Sequence, residues 1–298
     1  MKPLLFALPG NEAFCARLAE ALSAPVGTFE YRRFPDGESY VRLRSEVGGR
    51  KVALVCTLNS PDEKTLALIF AARTARELGA TSVGLVAPYL AYMRQDKRFN
   101  PGEAVTSTHY SALLSGVFEW LVTVDPHLHR HRSLSELYRI ETRVVHAAPA
   151  LSAWIRENVQ DPLVVGPDSE SEQWAASIAA AAGAPHVALA KTRRGDREVE
   201  IALPDLGAWR GRSPVLVDDI ISSGRTMAVA ARMLVQRGFA APYVVGIHGI
   251  FGGEAYAELE RAGVRAIVTT DAVPHPSNRI GIAALLAEVV ALLSGEEP

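Results

Sequence analysis

The segment richest in chemistry is Val215-Leu216-Val217-Asp218-Asp219-Ile220-Ile221-Ser222-Ser223-Gly224-Arg225-Thr226. An apolar strand ends in two consecutive carboxylates, a loop of small residues follows, and a helix begins. Charges at the end of a buried strand are costly unless something pairs with them. Ligands of open α/β sheets bind at the carboxyl ends of strands. Loop residues Ser222, Ser223, Gly224, Arg225 and Thr226 can aim backbone N–H groups and hydroxyls at a phosphate, helped by the helix N-terminus. Asp218 and Asp219 can accept bonds from the vicinal hydroxyls of a sugar. Together these are the parts for a pentose 5-phosphate. A simple helix cap needs only one Ser or Asp, so capping does not account for the whole string.

Further segments carry polar groups in suggestive order. In Phe34-Pro35-Asp36-Gly37-Glu38, Gly37 allows a tight turn between two acids, and Phe34 offers an aromatic plate for a purine. A plain β-turn with an exposed acid pair is the competing reading. In Tyr92-Met93-Arg94-Gln95-Asp96, Arg94 supplies a planar fork for phosphate oxygens and Gln95 can bond base or phosphate. A solvated charge run after a strand would look the same. Lys191–Arg197 is the densest basic patch, and the following EVEIAL can form a strand. That predicts a cationic flap hinged at Gly195, suited to phosphoryl transfer. DPHLHRH puts His127, His129 and His131 on one side if extended. A zinc hydrolase site would need further ordered ligands, and the chain has no second His pair.

The elements that hold these segments alternate. Strand-like runs cover 4–8, 52–56, 82–88, 120–125, 162–168, 187–190, 214–221, 243–247 and 266–271. Many are continuous Val/Leu/Ile runs, the mark of strands buried on both faces in a parallel sheet. Helical patterns lie between them, over Glu12–Ser23, Glu63–Leu78, Thr106–Leu114, Leu151–Val159, Glu172–Ala182, Thr226–Arg237 and Glu254–Ala262. A weak repeat joins strand, loop, helix and strand: Thr65 to Val83 and Thr226 to Val244 are both 18 positions apart. The expected fold class is α/β, with two similar doubly wound domains and mainly parallel sheets. The expected division is 1–143 and 144–279, with a last helix within 280–298 returning to the first domain.

Composition bounds the rest. A chain of 298 residues has room for about two domains. Its 31 Lys and Arg against 33 Asp and Glu give a formal charge of −2, leaving no basic field for nucleic acid. Cys15 and Cys56 form no metal spacing and are expected as buried, reduced thiols. No run is long and apolar enough for a membrane span or a signal peptide, so the expected location is cytoplasmic.

With these motifs in hand, the chain resembles the ribose-phosphate pyrophosphokinases (phosphoribosyl pyrophosphate synthetases). The 215–226 string is similar to the loop that this family shares with phosphoribosyltransferases. The segments 34–38 and 88–96 resemble the pyrophosphokinase F-x-D-G-E and P-Y-x-x-Y-x-R-Q-D. Asp125-Pro126-His127, Gly166-Pro167-Asp168, Lys191-Thr192-Arg193 and Ile247-His248-Gly249-Ile250-Phe251 resemble its other motifs, in family order.

The resemblance implies a type I phosphoribosyltransferase-like fold and an Mg²⁺-dependent transfer of diphosphate from ATP to ribose 5-phosphate. It implies ATP binding by Phe34, Asp36, Gly37, Glu38, Arg94, Gln95 and Asp96. It places the sugar phosphate on Asp218, Asp219, Ser222, Ser223, Gly224, Arg225 and Thr226. It makes Lys191 and Arg193 catalytic, and His127 and Asp168 metal ligands. It also implies a homo-oligomer in which residues 34–38 reach a neighbour's nucleotide site, and an active site lying between the two halves. Some positions depart from the family pattern. Ser222 stands where an acid is usual, Arg225 where a glycine is usual, and Pro126 where leucine is usual; residues 168–171 read DSES. A phosphoribosyltransferase, or a non-catalytic regulatory homologue, are the competing functions.

Overall fold

Uninterrupted Val, Leu and Ile runs have no polar face to turn to water, so they pair side by side under helices. The computed structural model describes residues 2–128, 130–167, 171–194, 198–202 and 204–295; the side chains of 173, 190–194 and 198–202 lie outside that description. The chain divides into two compact units.

The first unit comprises Met1–His146, Ala272–Pro274 and Ile282–Pro298. In chain order it holds β1 (Leu4–Ala7), α1 (Glu12–Leu22), β2 (Phe29–Arg33), β3 (Ser39–Leu43) and β4 (Lys51–Val55). Then come α2 (Pro61–Glu77), β5 (Ser82–Ala87), α3 (Thr106–Ser115), β6 (Trp120–Val124) and β7 (Glu141–Val145). Five strands form one parallel sheet in the order β1-β4-β5-β6-β7. Leu4, Phe6, Leu54, Leu85 and Leu121 from the sheet meet Leu68 and Leu114 from the helices in its core. β2 and β3 form a separate antiparallel hairpin with Phe29 opposite Leu43 and Arg33 opposite Ser39.

The second unit comprises Ala147–Asp271 and His275–Gly281. It holds α4 (Ala148–Asn158), β8 (Pro162–Gly166), α5 (Glu172–Ala182), β9 (His186–Ala188), β10 (Ala190–Arg194) and β11 (Glu198–Ala202). It continues with β12 (Ser213–Ile221), α6 (Arg225–Gln236), β13 (Tyr243–Gly249), α7 (Ala255–Arg261), β14 (Ala266–Thr270) and β15 (Asn278–Ile280). Six strands pair in parallel, in the order β15-β14-β13-β12-β8-β9. Leu163, Val165, Leu216, Leu234 and Val244 lie in its core. β10 and β11 pair as an antiparallel hairpin.

The last helix, α8 (Ala283–Leu293), belongs to the first unit. It packs against α1, β6 and β7, burying Ala283, Leu286, Ala287 and Val290. Lys51 Nζ donates to the Ser294 carbonyl at 2.5 Å, tying the helix end to the start of β4. The expected α/β class with two mainly parallel sheets is what the chain forms. The repeat is real in topology: β4-α2-β5 and β12-α6-β13 each place their two strands side by side.

Candidate active site

β12 is the longest strand described, and its length carries the segment predicted to hold a sugar phosphate. Its partner β8 pairs only with Ser213–Leu216, while β13 stays alongside as far as Ile221. Asp218 and Asp219 therefore stand beyond the last residue of β8, at the carboxyl end of the sheet. Both are half-buried. The Asp219 N–H donates to Asp218 Oδ1 at 3.0 Å, and the Ile220 N–H donates to Asp219 Oδ1 at 2.8 Å. These local bonds restrain both carboxylates.

The loop that follows is stitched to a second loop. The N–H groups of Ile250 and Phe251 donate to the Ile221 carbonyl at 3.1 and 3.0 Å, and that of Gly252 donates to the Ser222 carbonyl at 3.0 Å. Gly224 then caps α6 with φ of +66°, and a Cβ there would stand 3.2 Å from the Ala255 carbonyl oxygen. Only glycine meets both conditions without strain. Arg225 opens the helix on the exposed side, with Thr226 half-buried behind it. Backbone donors of the first helical turn and the hydroxyls of Ser222, Ser223 and Thr226 are thus gathered at one helix N-terminus, an anion-binding arrangement.

In the first unit, residues 34–38 are the tip of the β2–β3 hairpin. The Phe34 N–H donates to the Glu38 carbonyl at 2.8 Å, and the Gly37 N–H donates to the Phe34 carbonyl at 2.9 Å. Gly37 has φ of +95°, and Asp36 Oδ1 accepts the Glu38 N–H at 3.2 Å. The Arg32 guanidinium lies 4.4 Å from the centre of the Phe34 ring and 4.3 Å from that of Tyr40. Phe34 is 38% exposed, so its ring is still available to a planar ligand.

The 88–96 segment leaves β5 at its carboxyl end. Tyr92 takes a left-handed backbone conformation with φ of +62°, and its ring packs 4.7 Å from that of Tyr110 on α3. Arg94 is exposed. The Gln95 side-chain oxygen accepts from Thr106 Oγ1 at 3.4 Å, and its carbonyl accepts the Ser107 N–H at 3.3 Å. Asp96 is placed differently from its neighbours. Its carboxylate is held by Arg130 Nη1 at 2.7 and 2.9 Å. Sequence reasoning missed Arg130, which sits among the histidines of DPHLHRH and drew no notice beside them.

His127 is half-buried, just beyond the end of β6. Asp125, two residues before it, has φ of +32° and its Oδ1 is 2.7 Å from Nδ1 of His146. His131 pairs with Glu136 at 3.0 Å. Lys191 and Arg193 lie on β10, opposite Ile201 and Val199 of β11, with their side chains outside the described set. His129, Asp168 and Gly195 lie outside the described residues. Cys15 and Cys56 are buried free thiols, and burial pushes each up to about 12.

Comparison with known proteins agrees along the chain. The family model for the N-terminal domain of ribose phosphate pyrophosphokinase matches residues 3–117, and the model for the phosphoribosyl transferase domain matches 133–281. A ribose-phosphate pyrophosphokinase of Methanopyrus kandleri is 37% identical over 282 residues, covering 94% of this chain and 95% of that protein. One from Saccharolobus solfataricus is 35% identical, covering 86% and 88%. The fold matches the crystal structure of phosphoribosylpyrophosphate synthetase from Mycobacterium smegmatis with a TM-score of 0.85 at 24% identity, over 98% of this chain and 99% of that one. Across both units, the chain belongs to the ribose-phosphate pyrophosphokinase family.

Proposed function

We propose that this chain is a ribose-phosphate diphosphokinase with its chemistry divided between the residues described above. It makes 5-phosphoribosyl 1-diphosphate and AMP from ATP and ribose 5-phosphate. The oxygen of the C1 hydroxyl attacks the β-phosphorus of ATP and loses its proton. The bond from that phosphorus to the α-phosphate oxygen breaks, and AMP leaves. One observation carries this reading. A sugar-phosphate loop in the second unit shares the chain with a first unit matching the pyrophosphokinase N-terminal domain. A phosphoribosyltransferase needs only the former.

In this assignment, Asp218 and Asp219 hold the ribose hydroxyls, and Ser222–Thr226 cradle the 5-phosphate. Phe34, Asp36, Gly37, Glu38, Arg94 and Gln95 bind ATP, with Phe34 against adenine. Asp96 serves the nucleotide indirectly, by fixing Arg130 and the strand exit that carries Arg94. Lys191 and Arg193 neutralise charge on the transferred group, an effect worth several kcal/mol where water is excluded. Magnesium is the metal we assign. One imidazole, His127, and one carboxylate, Asp168, suit an ion whose remaining ligands are phosphate oxygens and water. The ion would neutralise phosphate charge during transfer.

We further assign a homo-oligomer in which the β2–β3 hairpin serves a neighbouring copy's nucleotide site. The cytoplasm is the compartment we assign, on the pair of buried free thiols. Among the described residues, no helix is long and apolar enough to cross a membrane. The test is AMP formation from ATP with Mg²⁺, with and without ribose 5-phosphate. Sugar-dependent AMP that disappears in Lys191→Ala supports the reading. Turnover only with a nucleobase and the sugar diphosphate would sink it, as would nucleotide binding without turnover.

A further inference from the structure

His275 and Phe251 lie 24 positions apart, yet their rings pack against each other, tilted by 37°, with centroids 4.3 Å apart. Tyr256 completes the group, 5.3 Å from Phe251 and 4.9 Å from His275. All three belong to the second unit. The imidazole is also held by hydrogen bonds. Its Nδ1 accepts the Ser277 N–H at 3.1 Å and is 2.8 Å from Ser277 Oγ. The His275 N–H donates to Asn278 Oδ1 at 2.9 Å, and Asn278 Nδ2 donates to the Thr270 carbonyl at 2.6 Å. The ring is therefore pinned to the end of β14. Burial lowers the pKa of its imidazole.

Phe251 is the residue that this group restrains. Its φ of +45° is a conformation glycine adopts at lower cost. A bulky side chain persists there only where packing over-determines the backbone. That same backbone N–H donates to the Ile221 carbonyl, and the next donates to the Ser222 carbonyl. Those carbonyls begin the phosphate loop.

We infer that His275 is a positioning residue for the loop 222–226, acting through the ring and backbone of Phe251. The inference rests on the assignment of that loop to the sugar phosphate. Without the imidazole, Phe251 loses one of the two rings that wall in its left-handed backbone, and the Phe251 and Gly252 N–H groups lose their fixed aim at the Ile221 and Ser222 carbonyls. The donors of the loop then meet the phosphate in several orientations instead of one.

The experiment measures KM for each substrate, together with thermal melting, in His275→Ala, His275→Phe and Ser223→Asp. His275→Ala is expected to raise KM for ribose 5-phosphate about tenfold and to leave KM for ATP within about twofold. His275→Phe keeps an aromatic face on Phe251 and is expected to restore most of the loss. Should His275→Ala fail to fold, His275→Leu, which keeps bulk but no ring, takes its place with the same expected rise in the sugar KM and the same rescue by His275→Phe. A lowered melting temperature with an unchanged sugar KM, an equal rise in both KM values, or no rescue by phenylalanine overturns the positioning role. Ser223→Asp sets a negative charge on the loop and separates the two failures. An unchanged sugar KM there overturns the loop assignment and this inference with it. A raised one, beside an unaffected His275→Ala, overturns the inference alone.

Discussion

Arg130 closes on both oxygens of the Asp96 carboxylate, and the Asp96 side chain is only 4% exposed. The two lie 34 positions apart, on the chain exits of β5 and β6. The pair fastens the segment bearing Arg94 and Gln95 to the segment bearing His127. Arg130→Ala strands a shielded carboxylate, which costs about 1–3 kcal/mol, with the low end expected because Arg130 itself is 45% exposed. Urea unfolding checks that loss. KM for ATP should rise in the same variant, and an unchanged value would remove Asp96 from the nucleotide machinery.

Gly224→Ala combines a disfavoured backbone conformation with crowding against the Ala255 carbonyl. The left-handed conformation alone costs about 1–2 kcal/mol for an alanine. Lower stability and weaker binding of ribose 5-phosphate are expected together, with ATP binding retained. Calorimetric titration of each ligand checks this, and equal weakening of both would count against the assignment of the loop.

The proposal that the β2–β3 hairpin serves a neighbouring copy makes a complementation test possible. Asp36→Ala and Lys191→Ala should each be nearly inactive alone. Mixed under conditions that allow subunit exchange, they should recover activity, because a hybrid holds one site with both residues intact. Activity that stays at the sum of the two separate proteins places Asp36 in its own subunit's site.

Both thiols carry a folded-state pKa of about 12 against an ordinary 9.0. A raised pKa stabilises the fold fully below the ordinary value, and that contribution is lost as pH rises from 9 toward 12. At about pH 8 both sulfurs are buried and neutral. A thiol reagent should therefore leave the native protein unlabelled and modify both after denaturation. Stability should fall on the alkaline side, less steeply in Cys56→Ala. Rapid labelling of the native protein would contradict this.

The sequence made the sheets legible because their strands are apolar on both faces. Leu54, Leu85, Leu121, Val165 and Leu216 each sit in a run that could lie nowhere but inside. The loop we assign to the sugar phosphate stood out for a different reason: its carboxylates, glycine and hydroxyls are neighbours in the chain. Half-exposed strands escaped. β2 reads Phe-Glu-Tyr-Arg-Arg and β7 reads Glu-Thr-Arg-Val-Val, mixtures without a clean period, and β7 lies where the join between domains was expected. Pairings across long separations also escaped. Neither Asp96–Arg130 nor Phe251–His275 leaves a local pattern, because each is set by which strand ends the fold brings together.

The placement of α8 governs the order in which this protein can be made. A ribosome releases all of the second unit before it releases the helix that α1, β6 and β7 require. The first unit is therefore completed only after residues 147–271 have left the ribosome. A stop codon near residue 282 would leave the second unit whole and strip the last helix from the first, the unit most distant from it in the gene. Loss of ATP binding, not of ribose 5-phosphate binding, is the defect such a truncation should produce.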